Sequence, residues 1–347
     1  MKKQLLTAAV SAAIALPMLA QAGVYGRTDG VLRYTDSDAA TNETWDVGVD
    51  KMRWGIVGSE DLGNGMKALY HYEWALNNDG LGGVNNSEAE RLAYVGLEGG
   101  FGKLTIGRNW FPSYFSVWNK TDTADGHPSV GTESNLSGNR SGNMIAYSSP
   151  NFSGFKVDVA MIVANEAGAT QEDGVDLWEI TGSYKNGPLQ VGATFRNDQR
   201  GNGATAASNT TFDLVGPGGA TTFSILGASS AATNNDVDVW GIGASYTFGD
   251  LTIEGLYGNS EPDTGPETDV YAIGATYTMG PNEIHGAFRN NEVDGGTEKD
   301  DWYIGFRHFM SKETRLFVEY RQSEVTTGGV SSDTDVFALG MRKDWKL

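Results

Sequence analysis

Histidines and carboxylates are the residues of this chain best suited to catalysis, and few of them are arranged for it. The chain has four histidines and no cysteine, which excludes disulfides and thiolate metal sites. His71 and Glu73 are two positions apart, so in a strand they share one face. An imidazole beside a carboxylate has the groups for acid–base or metal chemistry. No third ligand or nucleophile accompanies the pair, so we expect no catalytic residue, no metal site and no cofactor.

A second group of chemically useful side chains lies in the segment from Asn109 to Gly142, which follows neither a helical nor a strand period. An irregular segment of this length inside a domain is usually functional or disordered. Its first part carries five aromatic residues: Trp110, Phe111, Tyr114, Phe115 and Trp118. Such rings can stack on sugars along a path, or they can anchor the segment to the rest of the protein. We favour anchoring.

The N-terminus indicates that the chain is exported. Lys2 and Lys3 form a positive region, Leu5–Ala20 is apolar, and Ala20–Ala22 fits a small-x-small cleavage site. Residues 1–22 are therefore predicted to be a secretory signal peptide, and residues 23–347 the mature protein. Removing the two lysines changes the formal charge from −19 to −21. An acidic balance of this size argues against nucleic-acid binding.

The remaining sequence predicts an all-β protein. Glycine occurs 47 times, about twice its usual share, and apolar and polar residues alternate with period two. In one example, Trp240, Ile242, Ala244, Tyr246 and Phe248 alternate with small or polar residues. A soluble sandwich alternates in the same way. However, the polar faces here are rich in Arg, Lys and Glu, and the aromatics cluster near strand ends, as in a membrane barrel with a water-filled lumen.

The connections between these strands predict their number. Seven short connections, rich in Gly, Asn, Asp and Pro, fall at 59–65, 99–102, 150–154, 186–188, 249–250, 280–282 and 310–313. Eight longer polar stretches alternate with them, at about 36–46, 77–89, 111–139, 165–174, 198–235, 260–267, 294–298 and 326–333. Fifteen connections join sixteen strands, and barrels of about 16–18 strands enclose an aqueous channel. Both termini lie on the short-turn side, so the first and last strands can pair.

Several stretches resemble the general bacterial porin family of Gram-negative outer membranes. The clearest are "RWGIVGSEDLGNGMKALYHYEW", "RLAYVGLEGGFGKLTIGRN", "NRSGNMIAYSSPNFSGF" and "VYGRTDGVLRY". The resemblance is specific over residues 24–160 and weaker beyond them. It implies a sixteen-stranded antiparallel transmembrane β-barrel whose third loop, about 111–139, folds inward, and a homotrimer in the outer membrane. The family usually ends in an aromatic residue, whereas here Trp345 is followed by Lys346 and Leu347, so either Trp345 or Leu347 takes that place.

The resemblance also implies where the pore narrows. The family's basic wall residues match Arg27, Arg53, Arg91 and Arg140. The facing loop carboxylates match Asp122 and Asp125, with Glu133 in reserve. Strand parity supports the first two arginines independently, because Leu32 and Trp54 fall on the opposite faces of their strands.

The expected function is passive diffusion of ions and small hydrophilic solutes. Acidic residues concentrate in the long connections and predict a modest preference for cations, although the wall arginines oppose it. Expected neighbours are outer-membrane lipid and lipopolysaccharide. Two alternatives remain open: a sugar (oligosaccharide)-selective porin and, with less support, an outer-membrane barrel enzyme that uses His71 and Glu73.

Overall fold

The computed structural model describes residues 22–38, 43–78, 87–126, 140–163, 174–199, 209–216, 219–226 and 236–347. The predicted signal peptide up to residue 21 and the reserve carboxylate Glu133 lie outside the described residues. Within those ranges, no helix combines the length and the apolar character that a membrane span requires.

Strands account for most of the described chain. They are β1 (Gly23–Ser37), β2 (Thr44–Gly63), β3 (Met66–Asn78), β4 (Ser87–Gly99), β5 (Gly102–Trp110), β6 (Arg140–Ser148), β7 (Phe155–Val163), β8 (Val175–Asn186), β9 (Leu189–Asp198), β10 (Asn209–Gly216), β11 (Gly219–Leu226), β12 (Val237–Phe248), β13 (Leu251–Pro262), β14 (Thr268–Met279), β15 (Asn282–Val293), β16 (Thr297–Ser311), β17 (Thr314–Thr327) and β18 (Val330–Lys346). Between β5 and β6 lie a short α-helix, α1 (Pro112–Ser116), and a 3₁₀ turn, η1 (Trp118–Thr121).

Sixteen of these strands form one closed antiparallel barrel, as predicted. Each strand pairs with its sequence neighbours, except that β9 pairs with β12 because β10 and β11 form a separate hairpin. β1 closes the barrel against β18, with Leu32 opposite Leu339. Closure leaves no unpaired edge, which is the condition for a sheet to span a membrane.

The apolar face of the barrel strands points away from the lumen. Ile242, Ile273 and Ile304 are among the most exposed large hydrophobic residues, and each alternates with a residue on the opposite face. Such an outward band is what lipid stabilises, while the alternate positions remain polar for a water-filled interior. The period-two pattern in the sequence therefore predicts correctly which face of a barrel strand points outward and which points inward.

The lengths of the later connections differ from those expected. The stretches 294–298 and 326–333 were predicted as long polar loops, but the strands continue into them and leave only 294–296 and 328–329 unpaired. Gly328 and Gly329 make the second turn with φ of 59° and 80°, a conformation that glycine adopts without strain. Beyond the membrane a strand loses its apolar face but keeps its backbone pairing, so a polar composition does not mark its end.

Candidate functional site

The segment that follows β5, residues 111–126, packs against the wall, which is the face of the barrel strands opposite the outward apolar band. Phe111, Val117 and Trp118 are almost fully buried there. Pro112 starts α1, a position where its fixed φ suits a helix and its missing N–H is not needed. The helical turns of α1 and η1 then bring Ser113, Val117 and Trp118 onto the wall.

Trp118 is the largest anchor of the segment. It packs with Val117 against Val239, Leu256 and other apolar side chains of β12–β14. Gly241 and Gly258, which face each other in the register of β12 and β13, provide the space. A Cβ on either glycine would come within 2.5 Å of the Trp118 ring. The indole therefore occupies a depression that only glycine leaves open.

Glu179 on β8 holds the beginning of the segment. Its carboxylate accepts hydrogen bonds from the Ser113 backbone N–H at 3.0 Å and from Ser113 Oγ at 2.7 Å. Both residues are buried. Because this carboxylate satisfies an otherwise unpaired N–H of the first helical turn, it fixes where α1 sits on the wall.

A second wall carboxylate, Glu319 on β17, holds the far end of the segment. It accepts the backbone N–H groups of Asp125 and Gly126, each at 2.7 Å, and lies 3.0 Å from His285 Nε2. His285, Gly305 and Glu319 form one row across β15–β17. A Cβ on Gly305 would approach His285 Nε2 to 2.4 Å, so glycine at this position allows the two side chains to meet.

Asp125 itself faces four arginines of the wall. Arg307 Nε is 2.7 Å from its carboxylate, Arg342 Nη1 is 3.5 Å and Arg27 Nη2 is 3.8 Å away, and Arg315 forms a further short ion pair. Burial alone would raise the pKa of Asp125, but these guanidinium groups outweigh it and lower the pKa below its usual value. The carboxylate is thus held in its charged form.

Basic wall residues also hold backbone carbonyls near Asp125. Arg33 donates two hydrogen bonds to the Gly126 carbonyl, at 2.9 and 2.8 Å, and Lys51 Nζ donates to the Asp125 carbonyl at 2.9 Å. Lys51 lies where the register of β2 shifts between Val49 and Met52, and such a bulge re-aims a side chain. The segment is therefore held through its backbone as well as its side chains.

On β2, β4 and β6 lies a second basic cluster. Arg91 Nε is 2.5 Å from Glu73, and the guanidinium carbon of Arg140 lies 4.3 Å from the centre of the Trp110 ring. Within the described residues Arg53 and Arg140 form no ion pair with a carboxylate, and two nitrogens of Arg140 are buried without a hydrogen-bond partner. Among the described residues, the cluster thus has three guanidinium groups and one carboxylate, Glu73, that forms a direct ion pair with it.

The pair considered for catalysis, His71 and Glu73, is bridged by Tyr25. The Tyr25 hydroxyl donates to Glu73 at 2.6 Å and lies 2.7 Å from His71 Nε2. Glu73 also pairs with Arg91, so its oxygens are engaged in structural contacts. In the part of the chain that the structure describes, no group of three or more His, Asp and Glu side chains is arranged to hold a metal ion.

The predicted loop residues have different surroundings. Asp122 accepts a hydrogen bond from the Tyr114 hydroxyl at 2.8 Å, and burial together with this carboxylate raises the pKa of Tyr114. Phe111 and Trp118 are buried anchors. The other three predicted aromatics, Trp110, Tyr114 and Phe115, contact one another.

The four predicted arginines thus lie along one stretch of the wall, in which Arg27 is the register partner of Arg53. Arg27 lies beside Asp125 and pairs with Asp29 at 2.5 Å, whereas Arg53, Arg91 and Arg140 belong to the second cluster. Sequence reasoning did not single out several contacts of the segment: Arg33, Lys51, Glu179, His285, Arg307, Arg315, Glu319 and Arg342. The sequence does contain a signal for three of them, because Arg307, Arg315 and Glu319 alternate with outward apolar residues and must therefore lie on the inward face.

Known proteins similar to this chain are outer-membrane channels. Outer membrane porin protein 32 of Delftia acidovorans is 30% identical over 207 residues, which cover 55% of this chain and 58% of that protein. The match therefore spans less than two thirds of that relative. The solved anion-selective porin from Comamonas acidovorans has a TM-score of 0.70 at 22% identity, covering 93% of this chain and 99% of that one. OmpT of Vibrio cholerae, solved in a trimer form, has a TM-score of 0.66 at 19% identity, covering 93% and 99%.

A family model decides the assignment, because it covers nearly the whole chain. The model described as Gram-negative porin matches residues 6–328. It agrees with the closed barrel of sixteen antiparallel strands and with the outward apolar band. The chain belongs to the Gram-negative porin family and is a protein of the outer membrane.

Proposed function

We propose that the protein is a passive diffusion channel for ions and small hydrophilic solutes, narrowed by residues 111–126. The observation that carries the proposal is the attachment of this segment to the inward wall, from Glu179 on β8 to Arg33 on β1. A sixteen-stranded barrel leaves an aqueous interior, and a segment attached across that interior reduces its cross-section. Diffusion through such a pore needs no cofactor and no coupled energy source.

We further propose that the narrow part prefers anions. The second cluster has three guanidinium groups, Arg53, Arg91 and Arg140, against the carboxylates of Glu73 and the nearby Asp122. The charges around Asp125, in contrast, are largely paired. A ring of uncompensated charge in a confined pore sets ion preference. The similarity to an anion-selective porin supports the same sign.

The acidic residues of the long connections support a preference for cations instead. That preference, inferred from the sequence, stays a prediction. Those carboxylates lie at the strand ends and beyond, where salt screens them over about 8–10 Å. The arginines of the second cluster are half-buried and less screened. For this reason we give the cluster the greater weight.

We also propose a homotrimer in contact with outer-membrane lipid and lipopolysaccharide. The similarity to a solved trimeric porin supports the oligomer, and the outward apolar band supports the lipid contact.

The reversal potential of single channels in a planar bilayer, measured across a KCl gradient, tests the proposal. We expect stepwise conductance with a reversal potential on the anion side. A cation-side potential would retain the channel but overturn the anion preference. Absence of conductance from correctly folded protein would overturn the channel itself.

Two arginine variants locate the source of the preference. Arg140→Gln removes an unpaired charge of the second cluster and should shift the reversal potential toward cations. Arg321→Gln is the matched control, because Arg321 lies on β17, outside the second cluster, and its Nη2 pairs with Asp301 at 2.7 Å. Equal shifts in the two variants would contradict the assignment to the cluster.

A further inference from the structure

Residues 111–126, the narrowing segment, carry one aromatic ring whose exposure is not explained by anchoring to the wall. Phe115 is 54% exposed, whereas Phe111 and Trp118 on the same segment are buried. Its ring meets Trp110 at 5.5 Å and Tyr114 at 5.2 Å, both edge to face, so its own face is not stacked. A phenyl ring exposed to water is costly, and the neighbouring rings hold it in place.

Positive charge lies beside this ring, and two nitrogens of Arg140 have no hydrogen-bond partner among the described residues. The centre of the Trp110 ring is 5.5 Å from Phe115, 4.3 Å from Arg140 Cζ and 5.8 Å from Arg91 Cζ. Because these distances share the Trp110 ring, Arg140 Cζ lies within about 10 Å of the Phe115 ring. An aromatic carboxylate spans such a gap, with its ring on Phe115 and its carboxylate toward the guanidinium groups.

We propose that Phe115, Arg91 and Arg140 form a binding site for aromatic carboxylates on the path of permeating solutes. The inference rests on the proposed channel function and specifies a class of solute for it. Offset stacking on the phenyl ring supplies selectivity for a flat ring. The guanidinium groups supply charge-assisted hydrogen bonds, which are the stronger kind.

The polar groups of the site fit a carboxylate better than a neutral sugar. A sugar needs acceptors for its hydroxyl protons, but Glu73 is engaged by Tyr25 and Arg91, and Asp122 by Tyr114. The guanidinium groups of Arg91 and Arg140 can only donate hydrogen bonds. The site therefore favours a ligand that is an acceptor, such as a carboxylate.

Block of single-channel current by four solutes tests the proposal. The probes are benzoate, cyclohexanecarboxylate, benzyl alcohol and maltotriose. Cyclohexanecarboxylate keeps the charge of benzoate without its flat ring, benzyl alcohol keeps the flat ring without the charge, and maltotriose is a neutral sugar. We expect benzoate to reach half-block at a concentration about fivefold lower than cyclohexanecarboxylate, the size of an aromatic contact. Benzyl alcohol and maltotriose should block weakly. Equal block by the two carboxylates, or stronger block by maltotriose, would overturn the proposal and leave the channel in place.

Variants identify the residues that contribute. Phe115→Ala should abolish the difference between benzoate and cyclohexanecarboxylate, and Arg140→Gln should weaken both. Phe248→Ala is the matched control, because Phe248 is similarly exposed at 58% but lies on the outward face. A Phe115→Ala channel that still discriminates between the two carboxylates would contradict the site. Absence of any current from the unmodified protein would instead remove the proposed function.

Discussion

At the scale of single residues, Asp125 has more charged contacts than any other residue of 111–126, the segment that we propose narrows the pore. Four arginines surround it, and its backbone N–H is bound by Glu319. Charges in such an arrangement depend on one another, since removing the carboxylate leaves several guanidinium groups without compensation. Asp125 is therefore expected to influence both ion preference and the position of the segment.

Replacing Asp125 by Asn should strengthen the anion preference. One charge at about 4 Å is worth about 1 kcal/mol in water, so the Cl⁻/K⁺ permeability ratio should rise about two- to fivefold, measured as a reversal potential. Asp122→Asn removes the same charge from a carboxylate bonded to Tyr114. Because this carboxylate lies near the second cluster, its removal should also shift the ratio toward anions, and a shift toward cations in either variant would contradict the proposed charge balance.

The lowered pKa of Asp125 gives the ion pairs between this carboxylate and its four arginines a defined pH dependence. A carboxylate whose folded pKa lies below its ordinary 3.8 stabilises the folded state fully above that ordinary value, and the stabilisation is lost as pH falls through the folded pKa. We expect unmodified protein and Asp125→Asn to differ by a constant free energy of unfolding above about pH 5. The difference should shrink below pH 3.8, as measured by urea unfolding in lipid vesicles. A difference that already disappears between pH 7 and 5 would contradict the lowered pKa.

At the scale of elements, two neighbouring strands provide the depression that holds Trp118. Gly241 and Gly258 are register partners on β12 and β13, and a side chain at either would meet the indole. The strands thus determine how far the segment stands from the wall. In the proposed channel, the width of the pore would depend on this distance.

Gly258→Ala should push Trp118 and its segment into the lumen. We expect lower single-channel conductance and a loss of about 1–3 kcal/mol in unfolding free energy, the usual cost of overpacking. Gly255→Ala on the same strand is the control, because its added Cβ would meet no atom closer than 3.4 Å. Unchanged conductance in the Gly258 variant would mean that the depression that holds Trp118 does not determine the pore width.

At the scale of the whole molecule, the barrel is stabilised by its outward apolar band. Ile273 lies near the middle of β14 and is 57% exposed on that face. Met310 lies at the end of β16, next to a turn. The two positions share the outward face but should differ in their depth in the bilayer.

Ile273→Arg should therefore cost about 2–4 kcal/mol of folding free energy, because a charge near the bilayer midplane is strongly disfavoured. Met310→Arg, at the strand end, should cost about 0–1 kcal/mol. Urea titration of folding into lipid vesicles measures both values. Similar costs at the two sites would argue against the membrane orientation inferred for the strands.

The sequence by itself determined the number of barrel strands, the face that meets lipid and the position of the irregular segment after β5. These features are local: period-two alternation specifies a face, and Gly, Asn and Pro specify turns. It underestimated the length of the later strands, because polar residues continue to pair beyond the membrane. It also did not reveal the β10–β11 hairpin inside the connection 198–235.

Only the tertiary structure decided which charges meet. Alternation places Arg315 and Glu319 on the inward face, but it does not tell where around the barrel the segment arrives. Arg315 and Asp125 are 190 positions apart in the sequence, and their contact depends on closure of the sheet and on the path of the segment along the wall. Because such contacts are set by geometry across the lumen, the residues around Asp125 other than Arg27 could be assigned only from the closed barrel.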